Sequence, residues 1–141
     1  MNSQRTGQAS ANGSARPAPL RVLCAEDDEH VALMLKYALE QDGHQVELVA
    51  DGKEAFARIT SDLGYFDMLV TDHEMPTLSG LELVEKLRGT KFAGKIIVHS
   101  SELRLRDAAA YRALAVNHIF TKPIQLSEFV TVVQRLGAIS P

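Results

Sequence analysis

The sequence predicts an α/β protein with three layers, in which helices cover both faces of a five-stranded parallel sheet. Short apolar runs alternate with segments whose apolar residues recur every three or four positions, and the alternation repeats five times between residues 20 and 136. Alternating strands and helices are typical of a parallel sheet with crossover helices. The apolar runs are nearly continuous, as expected of strands that are buried on both faces.

Each predicted strand has its own pattern. The second strand alternates polar and apolar side chains, whereas the other four are apolar runs bounded by polar residues. The second strand also ends without a polar cluster, which fits an outer position in the sheet. The five strands are predicted at residues 20–25, 45–50, 66–71, 95–99 and 118–121.

The helices are predicted from apolar residues at three- and four-residue steps. Gly43 ends the first helix and Gly89 the third, while Ser79 is placed to cap the start of the third. The fourth helix, residues 104–115, is rich in alanine and less sharply amphipathic. The other four are marked by Val31, Met34, Leu35, Ala38 and Leu39; by Ala55, Phe56 and Ile59; by Leu81, Leu83, Val84 and Leu87; and by Leu126, Phe129, Val130, Val133 and Leu136.

Composition limits the class of protein. A chain of 141 residues suits one domain, and a net charge of −3 without a basic stripe argues against nucleic acid as the main partner. No apolar run approaches the roughly 18 residues that span a bilayer, and the N-terminus lacks the apolar stretch of a signal peptide. The single cysteine, Cys24, cannot form an internal disulfide and lies in a predicted strand, where we expect a core residue. We therefore predict a soluble cytoplasmic protein with no membrane contact.

The first 18 residues differ from the rest of the chain. They are mostly Ser, Ala, Gly, Gln, Asn and Pro, with almost no large apolar side chains. Such a segment cannot bury enough surface to offset its ordering entropy, so residues 1–18 are predicted to be a disordered tail. The folded domain is predicted at residues 19–138.

Polar side chains follow four of the five predicted strands. Ligands bind beyond the carboxyl ends of the strands in open α/β sheets, so these side chains are expected to meet. Clustered carboxylates need a cation, and hard oxygen ligands suit Mg²⁺. A carboxylate beside a metal, a lysine and a hydroxyl points to phosphoryl transfer onto Asp72. The strand-end residues are Glu26 and Asp27 in the first strand, Asp72 in the third, Ser100 in the fourth and Lys122 in the fifth.

These motifs, in this order, resemble the receiver domain of two-component response regulators. The resemblance runs from about Leu20 to Leu136. It implies a flavodoxin-like sheet with the strand order 2-1-3-4-5. The motifs are Glu26-Asp27 after an apolar strand, Asp72-His73-Glu74-Met75-Pro76 followed by Gly80, Ser100 after Ile96-Ile97-Val98-His99, and Thr121-Lys122-Pro123.

The resemblance also implies roles for individual residues. Asp72 matches the phosphoacceptor, and Ser100 matches the hydroxyl that swings toward the phosphoryl group. Lys122 matches the lysine that contacts that group, and the Lys122-Pro123 peptide is expected to be cis. The implied Mg²⁺ ligands are Glu26, Asp27, Asp72 and the backbone carbonyl of Glu74. The side chains of Glu74 and Glu102 are expected to flank the site and to tune hydrolysis of the phosphoryl group.

The implied function is that of a signalling switch, not an enzyme, although a receiver assists its own phosphorylation and dephosphorylation. The phosphoryl donor is expected to be a histidine kinase or a histidine phosphotransfer protein. Only five residues follow Leu136, so the sequence predicts a stand-alone receiver that passes the phosphate on or contacts a downstream protein. We expect that contact on the fourth helix, fifth strand and fifth helix, with Tyr111, Ile119 and Val132 on the contacting face.

Two residues depart from the family pattern. Ile119 lies three residues before the lysine, where many receivers have Tyr or Phe. His99 lies where an aliphatic residue is common, and we favour a hydrogen-bonded structural histidine over a polar lining of the site. Two alternatives stay open: a phosphorylation-independent pseudo-receiver, and a haloacid-dehalogenase-like phosphatase. The nucleophile of such a phosphatase ends the first strand and is followed two residues later by another aspartate, which this chain lacks.

Overall fold

Five strands and five helices alternate along the chain in the computed structural model, which describes residues 18–139. Residues 1–17 of the predicted tail lie outside the described residues, and the boundaries 19–138 stay a prediction. The strands are β1 (Arg21–Ala25), β2 (Gln45–Val49), β3 (Met68–Asp72), β4 (Lys95–Ser100) and β5 (His118–Thr121). The helices are α1 (Glu29–Gln41), α2 (Gly52–Thr60), α3 (Gly80–Arg88), α4 (Leu105–Ala113) and α5 (Leu126–Gly137).

All five strands pair in parallel, in the order β2-β1-β3-β4-β5. This confirms the predicted order 2-1-3-4-5, the flavodoxin-like fold and the outer position of the second strand. In the register, Asp72 on β3 lies beside His99 on β4, and His99 lies beside Phe120 on β5. The carboxyl ends of β3 and β4 therefore meet at one edge of the sheet.

The core has two halves, one on each face of the sheet. Strand residues alternate between the faces, as the two-residue period of a strand requires. Helices α1 and α5 cover one face, and α2, α3 and α4 cover the other. Cys24 is fully buried in the first half, and burial raises the pKa of its thiol to about 12, as expected of an unreactive core residue. Between residues 18 and 139, no helix is both long and apolar enough to cross a membrane.

Polar side chains cap the amino-terminal ends of α1 and α3. The Asp28 carboxylate accepts hydrogen bonds from the backbone N–H groups of His30 and Val31 at the start of α1. Ser79 and Glu82 form a reciprocal capping box at the start of α3, which confirms the predicted cap.

Several predicted boundaries differ from the structure by one residue, and the largest differences, of two residues, are in the third strand and the fourth helix. The third strand is shifted by one to two residues relative to 66–71 and includes Asp72 as its last residue. Helix α4 ends at Ala113, not at Ala115, because Ala115 has a φ of 60° in the left-handed region. The Arg88 guanidinium donates hydrogen bonds to the free carbonyls of Leu114 and Ala115 beyond that helix end.

Candidate functional site

Two carboxylates and one ammonium meet at the carboxyl edge of the sheet. Asp72 ends the central strand β3 and is 4% exposed, and Glu26, directly after β1, is 3% exposed. The Lys122 ammonium donates hydrogen bonds to Asp72 Oδ2 at 3.0 Å and to Glu26 Oε1 at 3.2 Å. The structure therefore brings together three of the side chains that the sequence predicts at this site. The Lys122-Pro123 peptide that follows is cis, as expected.

The charges of this cluster shift one another's pKa values. Burial, together with the charge of Asp72, raises the pKa of Glu26 from 4.5 to about 7, and contacts with Asp28 and Lys122 only partly oppose that rise. Partial burial alone would lower the pKa of Lys122, but the hydrogen bond and charge of Asp72, followed by those of Glu26, raise it. Two carboxylates thus share one cation in a buried setting.

The side chains of the other predicted site residues make no hydrogen bond to this cluster within the part of the chain that the structure describes. Asp27 is exposed and makes no hydrogen bond within residues 18–139. Ser100 is 2% exposed, and its hydroxyl donates to the Glu102 carbonyl at 2.9 Å and accepts from the Glu102 N–H at 3.2 Å. The side chain of Glu74 is exposed, while its backbone N–H donates to Asp72 Oδ1 at 3.2 Å.

His99, and not Asp27, is the third buried side chain with a possible metal-ligand atom beside Glu26 and Asp72. It is fully buried, and among the described residues neither ring nitrogen has a hydrogen-bond partner, with Nδ1 3.7 Å from Glu26 Oε1. The favoured interpretation as a hydrogen-bonded structural histidine was therefore wrong, because the ring lines the site beside Asp72. Burial lowers the pKa of His99 from 6.5 to about 4. The spacing in the sequence indicates this position. His99 lies two residues after Ile97, so both side chains lie on one face of the sheet, the same face as Asp72.

Residues 22–134 match the family described as the response regulator receiver domain, which is more than half of the chain. The chain belongs to this family. The match favours the receiver over the phosphatase alternative and places the chain among two-component signalling proteins. A receiver is a signalling switch, as expected from the residues at the strand ends.

Relatives and solved structures agree with the family. Transcriptional regulatory protein TcrA of Mycobacterium tuberculosis is 28% identical over 137 residues, which cover 97% of this chain and 53% of the relative. Response regulator MprA of the same species is 34% identical over 117 residues, which cover 83% of this chain and 50% of that protein. This receiver therefore spans about half the length of the curated relatives it matches.

Among solved structures, the receiver domain of Francisella response regulator 1452 is similar, with a TM-score of 0.77 and 28% identity; the match covers 84% of this chain and 96% of that one. Chemotaxis protein CheY4 of Vibrio cholerae has a TM-score of 0.76 and 26% identity, with 84% and 99% of the two chains covered. Both likenesses confirm the fold.

A second histidine, His73, connects the phosphoacceptor candidate of this receiver to α4. Its Nδ1 lies 2.6 Å from the hydroxyl of the fully buried Tyr111, and its Nε2 lies 3.7 Å from Asp107 Oδ2. Burial and the nearby carboxylates of Asp107 and Asp72 raise the pKa of Tyr111 well above its ordinary value, so the hydroxyl keeps its proton. This contact was not predicted from the sequence, since α4 has no clear apolar period.

The predicted face for a downstream protein needs a correction. Tyr111 is fully buried and Val132 is 3% exposed, so neither side chain is available to a partner. Both residues were predicted on this face only because they lie on α4 and α5. Their side chains point into the two halves of the core. Ile119 is half-buried and packs against the second half of the core.

Proposed function

We propose that this receiver accepts a phosphoryl group on Asp72 from a histidine kinase or a histidine phosphotransfer protein. The observation that carries the proposal is the buried Asp72 carboxylate at the end of β3, with the Lys122 ammonium 3.0 Å from Oδ2. A carboxylate oxygen forms a bond to phosphorus while the N–P bond of phosphohistidine breaks. The leaving imidazole keeps the electron pair of that bond and takes up a proton.

Lys122 and Glu26 have supporting roles in this proposal. The Lys122 ammonium neutralises negative charge on the phosphoryl oxygens as they approach Asp72. Glu26 accepts a hydrogen bond from the same ammonium at 3.2 Å and so holds it beside the acceptor. Because both carboxylates are buried, these charges act in a medium where they are weakly screened.

The donor set fits Mg²⁺. Its members are oxygens: the carboxylates of Glu26, Asp27 and Asp72 and the backbone carbonyl of Glu74, which we propose as the ligands. Burial, and then the charge of Asp72, raises the pKa of Glu26, and a further positive charge beside these carboxylates would oppose that rise. When bound, Mg²⁺ supplies that charge next to the phosphoryl oxygens.

Ser100 is the proposed switch hydroxyl. To reach a phosphoryl group on Asp72, its hydroxyl has to leave both of its hydrogen bonds with the backbone of Glu102. We expect Ser100→Ala to reduce the amide chemical-shift changes of α4 on phosphorylation, and Ser101→Ala, at the exposed neighbouring position, to leave them unchanged. Equal changes in both variants would count against this role.

Glu74 and Glu102 are proposed to tune hydrolysis of the phosphoryl group. Both are exposed and line a polar cleft of about 410 Å³, together with His73, Ser101, Arg104 and Asp107. A carboxylate at the mouth of the site can position or exclude the attacking water. We expect Glu74→Ala and Glu102→Ala to change the dephosphorylation rate, measured by the decay of the adduct mass; unchanged rates in both would refute the proposal.

The central experiment is intact mass spectrometry after incubation with acetyl phosphate and Mg²⁺. We expect one phosphoryl adduct in the wild type, and none in Asp72→Asn or after chelation of the metal. An adduct that persists in Asp72→Asn would overturn the assignment of the acceptor. No adduct in the wild type would indicate the phosphorylation-independent pseudo-receiver.

We further propose a cytoplasmic receiver whose output is a protein contact or onward phosphate transfer. The surface of α4, β5 and α5 is the proposed contact face, and Leu105, 88% exposed at the start of α4, is its most exposed large apolar side chain within the described range. Loss of partner binding in Leu105→Glu, but not in Leu33→Glu on α1, would support this face. The stand-alone arrangement and the absence of nucleic-acid contact stay predictions, because the curated relatives are about twice as long.

A further inference from the structure

Three buried side chains that have lone pairs lie close together beside the Lys122 ammonium. One ligand atom from each of Glu26, Asp72 and His99 lies within 4.8 Å of the other two. Ligand atoms at about 2.1 Å from one ion are separated by up to about 4.2 Å. Small side-chain rotations therefore bring the three atoms within reach of a common metal ion.

His99 provides an observation that is independent of the acidic residues. It is fully buried, and both ring nitrogens lack a hydrogen-bond partner among the described residues. A buried polar atom without a partner costs free energy, so such an atom needs a function or a ligand. One ring nitrogen of a neutral imidazole has a free lone pair that can bind a metal ion.

We propose that Glu26, Asp72 and His99 form a binding site for a divalent transition-metal ion, with two oxygen ligands and one nitrogen ligand. Imidazole nitrogen is a good ligand for ions such as Co²⁺, Ni²⁺ and Zn²⁺, whereas Mg²⁺ prefers oxygen. The site differs from the proposed Mg²⁺ site, since it uses His99 in place of Asp27 and the Glu74 carbonyl. It selects for a different class of ion.

Lys122 shows that a cation fits between the two carboxylates. Its ammonium contacts Asp72 and Glu26 at 3.0 and 3.2 Å. The Lys122 side chain is 23% exposed, so it can turn toward solvent when an ion replaces it. A divalent ion then balances both carboxylates, which one ammonium does not.

The consequence for signalling rests on the proposed function of Asp72. An ion held by Glu26, Asp72 and His99 displaces the Lys122 ammonium, which the proposed function needs beside the phosphoryl oxygens. Occupancy of this site therefore inhibits phosphorylation, and the receiver responds to transition-metal ions as well as to its phosphoryl donor.

The test uses the full chain and CoCl₂, since bound Co²⁺ is detected by its visible absorption. We expect wild-type protein to bind Co²⁺ in the presence of excess Mg²⁺. Removing the imidazole should weaken binding at least about tenfold in both His99→Leu and His99→Gln. The control is His30→Gln, because His30 is an exposed histidine on α1 and should not matter. The inference is overturned if wild-type protein binds no Co²⁺, or if the His99 variants bind it as tightly as wild type.

Two further measurements keep the test decisive. If the His99 variants do not fold, the imidazole proton signals of wild type decide. Co²⁺ has to shift or broaden the signals of His99 ahead of those of the other four histidines, and an equal effect on all five, or a first effect on His44, overturns the site. Intact mass with acetyl phosphate and Mg²⁺ tests the proposed function separately. An adduct on Asp72 without His99-dependent Co²⁺ binding rejects the metal site alone. His99-dependent binding without an adduct rejects the acceptor role alone.

Discussion

The hydroxyl of Tyr111 lies 2.6 Å from Nδ1 of His73, the residue that follows the proposed phosphoacceptor. The backbone N–H of His73 donates to the His99 carbonyl at 2.9 Å, and its carbonyl accepts from the Gly80 N–H at 2.8 Å. His73, the residue after Asp72, thus makes hydrogen bonds with residues of β4, α3 and α4. We therefore expect a displacement of the loop after β3 to be transmitted to α4.

This contact also bears on the missing aromatic residue of the family pattern. Ile119, on β5, is half-buried and has no polar group to contact the site. Tyr111, on α4, is an aromatic residue with a hydroxyl that reaches the loop after β3. In this receiver, a buried aromatic residue of α4 contacts the loop beside the site at a different position in the sequence.

Tyr111→Phe should lower the free energy of unfolding by about 1 kcal/mol, because His73 loses a hydrogen-bond partner but keeps some access to water. The measurement is urea denaturation followed by circular dichroism. The control is Tyr37→Phe, since Tyr37 is 64% exposed and should lose almost nothing. If the two variants have equal stability, the hydrogen bond contributes nothing to the fold.

Glu26 and His99 should make the free energy of unfolding depend on pH in opposite directions. The pKa of Glu26 is raised from 4.5 to about 7, so its contribution is full below pH 4.5 and is lost as pH rises to about 7. The pKa of His99 is lowered from 6.5 to about 4, so its contribution is full above pH 6.5 and is lost as pH falls to about 4. Between about pH 4.5 and 6.5 the two slopes cancel in the wild type.

Single variants should separate these two slopes. Relative to wild type, His99→Leu should lose stability as pH rises from 4.5 to 6.5, by up to about 1.4 kcal/mol per pH unit. Glu26→Gln should gain stability over the same range with a similar slope. Burial is the largest cause of both pKa shifts, so we expect each shift to keep its direction when the neighbouring residue is replaced. The measurement is a series of urea titrations, and parallel curves for all three proteins would refute both shifts.

The resemblance to receiver domains implied the strand order, and the apolar runs predicted the members of the site that lie at strand ends. Glu26, Asp72 and Lys122 were predicted because each lies at the carboxyl end of an apolar run, and a parallel sheet brings those ends together. Local sequence decides such positions. The caps of α1 and α3 are local in the same sense, because donor and acceptor lie within three residues.

The residues that were misjudged depend on contacts that are distant in the chain. The surroundings of His99 are decided by Glu26 after β1 and Asp72 at the end of β3, which lie more than 20 residues away. Tyr111 contacts His73 across 38 residues, and the alanine-rich pattern of α4 gives no preferred buried face. Val132 likewise lies on a helix whose orientation is decided by its packing against α1 and the sheet.

Lys122→Met should slow formation of the acetyl-phosphate adduct by about 100-fold, a typical cost of removing one charge-stabilising group. Methionine keeps the apolar stem and removes the ammonium, so packing changes little. The control is Lys91→Met, because Lys91 is exposed and precedes the amino-terminal end of β4, at the opposite edge of the sheet. An unchanged rate in Lys122→Met would mean that this lysine does not stabilise the transferred group.

Gly80 should be the least replaceable glycine near the site. A Cβ atom there would collide with the carbonyl oxygen of Asp72 and lie 2.8 Å from the Tyr111 hydroxyl and 2.9 Å from His73 Cα. Two of these atoms belong to the backbone beside the phosphoacceptor, so they cannot move without moving β3 or its loop. Gly80→Ala should therefore cost about 3 kcal/mol of stability, at the upper end of overpacking, and should also slow adduct formation.

The matched control for this glycine is Gly64→Ala. A Cβ atom at Gly64 would meet only the Asp62 carboxylate, at 3.9 Å, which is ordinary contact. Alanine there should change stability by less than about 1 kcal/mol, and a gain is expected because the unfolded chain loses freedom. Urea denaturation of both variants is the measurement. If Gly80→Ala is as stable as Gly64→Ala, then α3 can shift away from β3, and the link from Asp72 through His73 to Tyr111 is looser than these distances indicate.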